Sequence, residues 1–157
     1  MVTWQDIEPE LLRRVAKTTW CTLATVSRSG RPRTRIVHPV WGDGELWLTT
    51  RTGTPKLDHL RRNAGVSLLW WDPDHEQVTV DGTATVHTDD ASRTRAWEVC
   101  RRPAEPYGFD PSTIWPAGPT DAACTIVRIV PERISLFGRP AVVWRGAPSP
   151  PPDRVGR

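Results

Sequence analysis

Leu46-Trp47-Leu48-Thr49-Thr50-Arg51-Thr52-Gly53-Thr54-Pro55-Lys56-Leu57 reads as a strand that passes through a tight turn into a helix, and the rest of the chain is organised around it. Thr54 stands at the helix N-cap and Pro55 suits the first helical position, because its missing N–H would have had no partner there. Lys56 then sets an ammonium beside first-turn N–H groups that lack intrahelical acceptors. Such groups attract anions. The helix dipole disfavours Arg51 and Lys56 on either side of the cap, by roughly a few tenths of a kcal/mol each, and a bound anion reverses that sign. The stretch is therefore either a phosphate clasp or a solvated basic turn.

At 157 residues the chain has room for one core. We expect a domain over 1–146 and a disordered Pro-rich tail over 147–157, since Ala147-Pro148-Ser149-Pro150-Pro151-Pro152 has nothing to bury. No run approaches the roughly 20 apolar residues of a membrane span, and Met1 to Asp6 lacks a basic-then-apolar leader, so the expected location is cytoplasmic. Cys21, Cys100 and Cys124 are far apart and odd in number, which reads as buried thiols rather than a disulfide framework. His38, His59, His75 and His87 show no HExxH spacing, so no protein-held metal is expected. A net charge of +3 permits nucleic acid without demanding it. Nine tryptophans are more telling, and suggest flat apolar surfaces at an interface or around a planar ligand.

Upstream of the clasp, apolar residues at Ile7, Leu11, Leu12 and Val15 predict an amphipathic helix over Asp6 to Ala16. Trp20 to Val26 and Arg31 to Trp41 read as strands joined by the turn Ser27-Arg28-Ser29-Gly30, with Gly42-Asp43-Gly44 leading on to Leu46 and completing a three-stranded meander. Period two puts Arg31, Arg33 and Arg35 on one side of the second strand, either facing acids on a neighbouring strand or meeting an anion; Arg35 is the favoured anion ligand. Downstream, the helix from Pro55 ends at Asn63-Ala64-Gly65 with a left-handed cap, and Val66 to Trp71 is a central strand. Gln77 to His87 alternates as a long curled strand with a bulge or bend at Gly82. Asp89-Asp90 caps a helix through Cys100. The aromatic-rich segment 101–119, with Tyr107, Phe109 and Trp115, is expected to be an ordered lid or interface. Cys124 to Val130 and Arg133 to Phe137 read as two more strands, and Ala141 to Trp144 as a last short one. The fold class is mainly β with flanking helices, a barrel of about six antiparallel strands.

These residues resemble the pyridoxamine 5'-phosphate oxidase-like flavin proteins over nearly the whole ordered chain. Gly30-Arg31-Pro32-Arg33-Thr34-Arg35-Ile36-Val37 is similar to that family's strand ending in an FMN-phosphate arginine. Leu48-Thr49-Thr50 with Thr54-Pro55-Lys56 is similar to its phosphate clasp, Gln77-Val78-Thr79-Val80-Asp81-Gly82 to its Gln-Val-x-Val-x-Gly strand, and Pro131 to Phe137 to its terminal strand. The resemblance implies a homodimeric split β-barrel with FMN at the subunit interface. The cofactor-binding residues it implies are Arg35, Ile36, Val37, Thr49, Thr50, Thr54, Lys56 and Gln77. Arg35 and Lys56 would meet the phosphate by charge-assisted hydrogen bonds, Thr49 and Thr50 would add donors, and Gln77 would satisfy an edge of the ring.

Three departures bear on activity. Val40 stands where the oxidase proper has a lysine, Pro55 where it has an arginine, and Gly138-Arg139-Pro140-Ala141-Val142-Val143-Trp144-Arg145 replaces its closing Arg-x-His motif. No catalytic residue is assigned, with His38 and His87 the candidates for proton transfer. The leading expectation is an FMN-dependent oxidoreductase acting on a small-molecule substrate that the sequence does not name. The alternatives are a deazaflavin-dependent reductase, a non-catalytic flavin-binding module, and a nucleic-acid-binding barrel using Arg31, Arg33 and Arg35.

Overall fold

The computed structural model describes residues 1–146, so the Pro-rich tail 147–157 lies outside the described residues. β1 (Cys21–Val26) and β2 (Pro32–Val37) form a hairpin through the Ser27 to Arg31 turn, where Gly30 takes φ 78°. β3 (Val40–Gly42) and β4 (Glu45–Arg51) form a second, tighter one, with Asp43 and Gly44 both at positive φ as a two-residue hairpin turn demands. β5 (Gly65–Trp70), β6 (Val78–His87), β7 (Cys124–Leu136) and β8 (Val142–Arg145) complete one eight-stranded antiparallel sheet, ordered β2-β1-β5-β6-β7-β4-β3 with β8 beside β7. The sheet curls into a half-barrel flanked by α1 (Trp4–Thr18), α2 (Pro55–Arg62) and α3 (Asp90–Arg101).

The expected single strand from Arg31 to Trp41 is broken at His38-Pro39, and the expected meander of the first three strands does not form. Pro39 has no N–H for a ladder and holds His38 extended, so the chain leaves the sheet there. β2 and β3 consequently lie on opposite edges. Conversely, the two strands expected over 124–137 are one, β7. Its pairing with β6 slips where Asp81 faces Arg133 but Gly82 faces Pro131, leaving Glu132 as the extra residue of a bulge. Proline is tolerated at such a place, and Gly82 is required there because a Cβ would lie 2.4 Å from the Val130 carbonyl oxygen.

α1 begins before the expected Asp6, capped by Thr3 in a reciprocal box with the Asp6 side chain. It buries Ile7, Leu11 and Val15 under the half-barrel. α2 ends on an extended Asn63 (φ −141°), not the left-handed residue expected. α3 is capped as expected, with the Asp89 carboxylate accepting from Ser92 N at 2.8 Å. All three cysteines are free and buried; desolvation pushes Cys100 up to about 12 and Cys124 up to about 11, which keeps these thiols protonated and inert.

Candidate functional site

The register of β1 against β2 sets Arg35 opposite Leu23 and Arg33 opposite Thr25. Leu23 and Thr25 point into the core, so both arginines lean toward the core side of the sheet at an edge where α2 covers it. No acid stands across from them: among the described residues Arg31, Arg33 and Arg35 make no ion pair, and the neighbouring-strand carboxylates allowed by the sequence are absent from that register. Arg35 Nη1 donates to the Thr25 hydroxyl at 2.6 Å and reaches the Leu23 carbonyl oxygen at 3.4 Å. Thr25 Oγ1 also lies 2.9 Å from His59 Nδ1. Having accepted from the guanidinium, the Thr25 hydroxyl still has both a proton and a lone pair with which to meet Nδ1, according to the His59 tautomer. Burial lowers the Arg35 pKa from its usual value.

Lys56 comes to the same corner from the first turn of α2. It is half-buried rather than exposed, and its pKa is lowered, chiefly by desolvation and further by the Arg35 charge. Its one side-chain partner is the Thr54 hydroxyl, 3.2 Å from Nζ. Thr54 occupies the N-cap with extended backbone, as expected, but its side chain makes no cap hydrogen bond. The start of α2 thus lacks a side-chain cap, and two cations face each other without a carboxylate. That arrangement costs free energy, which a bound anion would offset.

Beside this corner opens a cavity of about 450 Å³. Thr49, Thr50 and Lys56 line one end, Ile36 and Val37 its flank, and Trp20, His38, Phe109, Ile114 and Trp115 the other end. A ligand matched to it carries an anion at one end of a flat apolar body. Of the expected cofactor residues, Ile36, Val37, Thr49, Thr50 and Lys56 share the cavity wall, and Arg35 and Thr54 adjoin it through Lys56. Gln77 stands apart. Ile36, Thr22, Leu69 and Thr79 form one row across four strands, so Thr79 lies about 14 Å across the sheet from Ile36 and Gln77, two residues before it, about 16 Å away. Its carbonyl oxygen accepts from Phe137 N at 3.0 Å and Arg14 Nη1 at 3.1 Å.

The 101–119 segment supplies the aromatic end of the cavity, although Tyr107 does not cover it. Tyr107 is buried as a peg: its hydroxyl accepts from Trp41 N at 2.9 Å and its carbonyl oxygen from His38 Nε2 at 2.7 Å. The His38 ring is clamped between Trp20 and Phe109, with centroids 5.1 and 4.7 Å away, and burial lowers its pKa against the raising effect of the Tyr107 carbonyl. His87, the other histidine considered for proton transfer, lies near Asp89 and outside the cavity wall. Thr25 and His59 were not foreseen; the period-two alignment of Thr25 with Cys21 and Leu23 was the available sign of a buried hydroxyl.

A half-barrel with a cationic corner and an aromatic-lined cleft defines the class, that of the split-barrel proteins. The profile of the pyridoxamine 5'-phosphate oxidase family matches residues 7–138, and the chain belongs to that family. Among curated proteins nothing matches. A Clostridium acetobutylicum protein related to general stress protein 26, of the pyridoxinephosphate oxidase family, superposes with a TM-score of 0.72 at 18% identity, covering 92% of this chain and 96% of that one. A pyridoxamine 5'-phosphate oxidase-related, FMN-binding protein of Nostoc punctiforme gives 0.61 at 20% identity, covering 92% and 90%. An F420 reductase gives 0.57 at 22% identity, covering 78% and 94%. At these identities the likeness is one of fold.

Proposed function

We propose that this protein is an FMN-dependent oxidoreductase that works as a homodimer, with the flavin held where the two copies meet. The observation that carries the reading is Lys56 in the wall of a cavity rich in aromatic side chains, with Arg35 beside it and, among the described residues, neither cation in an ion pair. Arg35, Lys56, Thr49 and Thr50 would hold the phosphate, and Ile36 and Val37 would line the path of the ribityl chain and ring. FMN supplies the redox chemistry, and the protein's part is to bind, orient and shield.

The exposed apolar face supports a second copy. Trp20 (57% exposed), Ile36 (64%), Leu69 (39%) and Trp71 (49%) surround a shallow depression of about 210 Å³ on the outer side of the sheet. Trp20 and Ile36 also line the cavity, so a copy seated on this face would close the cavity's mouth. Gln77 belongs by alternation to the same face as Thr79 and Leu69, and a two-fold partner could bring it to a flavin that its own chain does not reach.

A second reading keeps the fold and the clasp but takes a deazaflavin coenzyme, which the solved F420 reductase of the same fold favours. The visible spectrum of the purified protein, with the released chromophore identified by mass, separates the two. Bound FMN is the expected result. A protein that takes up only a deazaflavin would promote the second reading, and one that binds neither would overturn both. Turnover of a reduced nicotinamide or reduced coenzyme against an acceptor then distinguishes an enzyme from a flavin-binding module without chemistry of its own.

A further inference from the structure

His38 is a polar group of the cavity wall that the cationic clasp does not use, two residues on from Ile36 and held extended by Pro39. Its two ring nitrogens are placed differently. Nε2 lies 2.7 Å from the Tyr107 carbonyl oxygen. A carbonyl oxygen only accepts, so Nε2 carries the proton and Nδ1 of the neutral ring is left with a lone pair. Among the described residues no group donates to Nδ1, and no carboxylate stands within ion-pair reach of the ring. Nor is Nδ1 sealed: the side-chain polar atoms buried without a partner are the indole nitrogens of Trp41, Trp47 and Trp70.

The ring is not free to turn away. Trp20 and Phe109 flank it at 5.1 and 4.7 Å, and the Tyr107 that holds Nε2 is itself pinned through its hydroxyl to Trp41 N. Nδ1 also differs in kind from the other side-chain nitrogens of the wall. Lys56 Nζ and the indole N–H groups of Trp20 and Trp115 donate, whereas Nδ1 accepts. A flat ligand that displaces water here without offering a proton leaves this nitrogen desolvated and unpaired. We propose that His38 Nδ1 is the acceptor that selects the ligand of the cavity, taking an N–H on the edge of its flat body, and that the Tyr107 carbonyl keeps the ring in the accepting tautomer. The inference rests on the flavin reading. The oxidised isoalloxazine ring bears a single N–H, the imide N3–H of its pyrimidine edge, and that is the proton assigned to Nδ1. A deazaflavin bears the same imide, so the acceptor serves either coenzyme and rejects flat rings that lack the donor.

The test titrates the full chain calorimetrically with FMN and lumiflavin and with their 3-methyl derivatives, which keep the ring and lose that proton. Each parent is expected to bind at least about tenfold tighter than its derivative. His38→Leu should erase the gap by weakening the parents and not the derivatives; a histidine that only packs would weaken all four alike. Nitrogen-15 spectra of wild-type protein labelled in its imidazoles give a readout apart from affinity. Nδ1 of His38 should resonate as a bare ring nitrogen in the free protein and move toward the hydrogen-bonded range with lumiflavin, but not with 3-methyllumiflavin. Equal binding of parent and derivative, a gap that survives in His38→Leu, or a proton on Nδ1 of the free protein overturns the assignment and leaves the flavin reading standing. Lumiflavin binding with the gap where FMN fails to bind would remove the phosphate clasp and keep His38 in its role. Binding of neither would overturn the flavin reading and the assignment with it.

Discussion

The Arg35 guanidinium and the His59 ring share one hydroxyl, that of Thr25, which is 1% exposed and lies 2.6 Å from Arg35 Nη1 and 2.9 Å from His59 Nδ1. This bridge fixes the cation of β2 against the helix that carries Lys56. Thr25→Val keeps the shape and removes both hydrogen bonds, leaving an imidazole nitrogen and an arginine N–H with less to satisfy them. Such a loss costs about 1–3 kcal/mol. Urea unfolding should show a lower midpoint with an unchanged slope, and the FMN affinity of the folded variant should fall because Arg35 is no longer held. A midpoint equal to that of the wild type would show that the bridge contributes nothing.

Lys56 is kept in an unfavourable place without ligand. Its pKa is lowered from 10.5 by desolvation first and by Arg35 second. The unfolded chain therefore binds this proton more tightly than the folded one, so the penalty is full below the lowered folded pKa and is relieved as pH rises toward 10.5. Lys56→Ala should flatten the alkaline side of the stability profile relative to wild type, and should not lower the melting temperature near neutrality. The same variant should weaken FMN by about 1.5–3 kcal/mol, the worth of one charge-assisted contact. Thermal shift with and without FMN measures both effects; a stability loss without an affinity loss would mark Lys56 as structural.

His38 gives an acid-side counterpart. Burial among Trp20 and Phe109 lowers its pKa below 6.5, so the unfolded state takes up its proton first as pH falls. The stability linked to neutral His38 is present above pH 6.5 and is lost as pH drops from there to the folded pKa. His38→Gln retains an N–H for the Tyr107 carbonyl and removes the titration. Denaturation midpoints at pH 7.5 and 5.5 should differ less in the variant than in the wild type. An equal difference in both would assign the acid sensitivity to other groups.

Much of this architecture is written in local pattern. The alternation of Val78, Val80, Ala84 and Val86, the capping residues of α3 and the Thr54-Pro55-Lys56 helix start all act within a few residues, and each appears where it was read. What the pattern does not carry is which strand sits beside which. β2 and β3 are consecutive yet lie on opposite edges, because Pro39 ends one ladder and nothing local says where the next begins. The merging of 124–137 into one strand across Pro131 depends on Gly82 in another strand, a non-local compensation. At the site, Arg35 and Lys56 were legible as basic residues of the second strand and of the helix start. The Thr25 bridge and the aromatic end built from Trp20, Phe109 and Trp115 were not, since both arise from contacts between distant segments.

The outer face offers the last prediction. Ile36, Thr22, Leu69 and Thr79 run as a row across four strands, flanked by Trp20 and Trp71, and Ile36 and Leu69 there are 64% and 39% exposed. A side chain of this size gains about 1.5–3 kcal/mol on full burial, and two-fold symmetry counts each gain twice. Leu69→Glu places a carboxylate at the centre of this row while leaving the core residues Leu68 and Trp70 untouched. The wild type should elute as a dimer, and the variant should keep its far-ultraviolet circular dichroism and elute as a monomer. Leu69 does not line the cavity, so any loss of FMN affinity in this variant would report the loss of the partner copy rather than of a direct contact. A monomer that binds FMN as tightly as the wild type would place the whole flavin site within one chain and remove the partner's Gln77 from it. A variant that remains dimeric would move the subunit interface to another face.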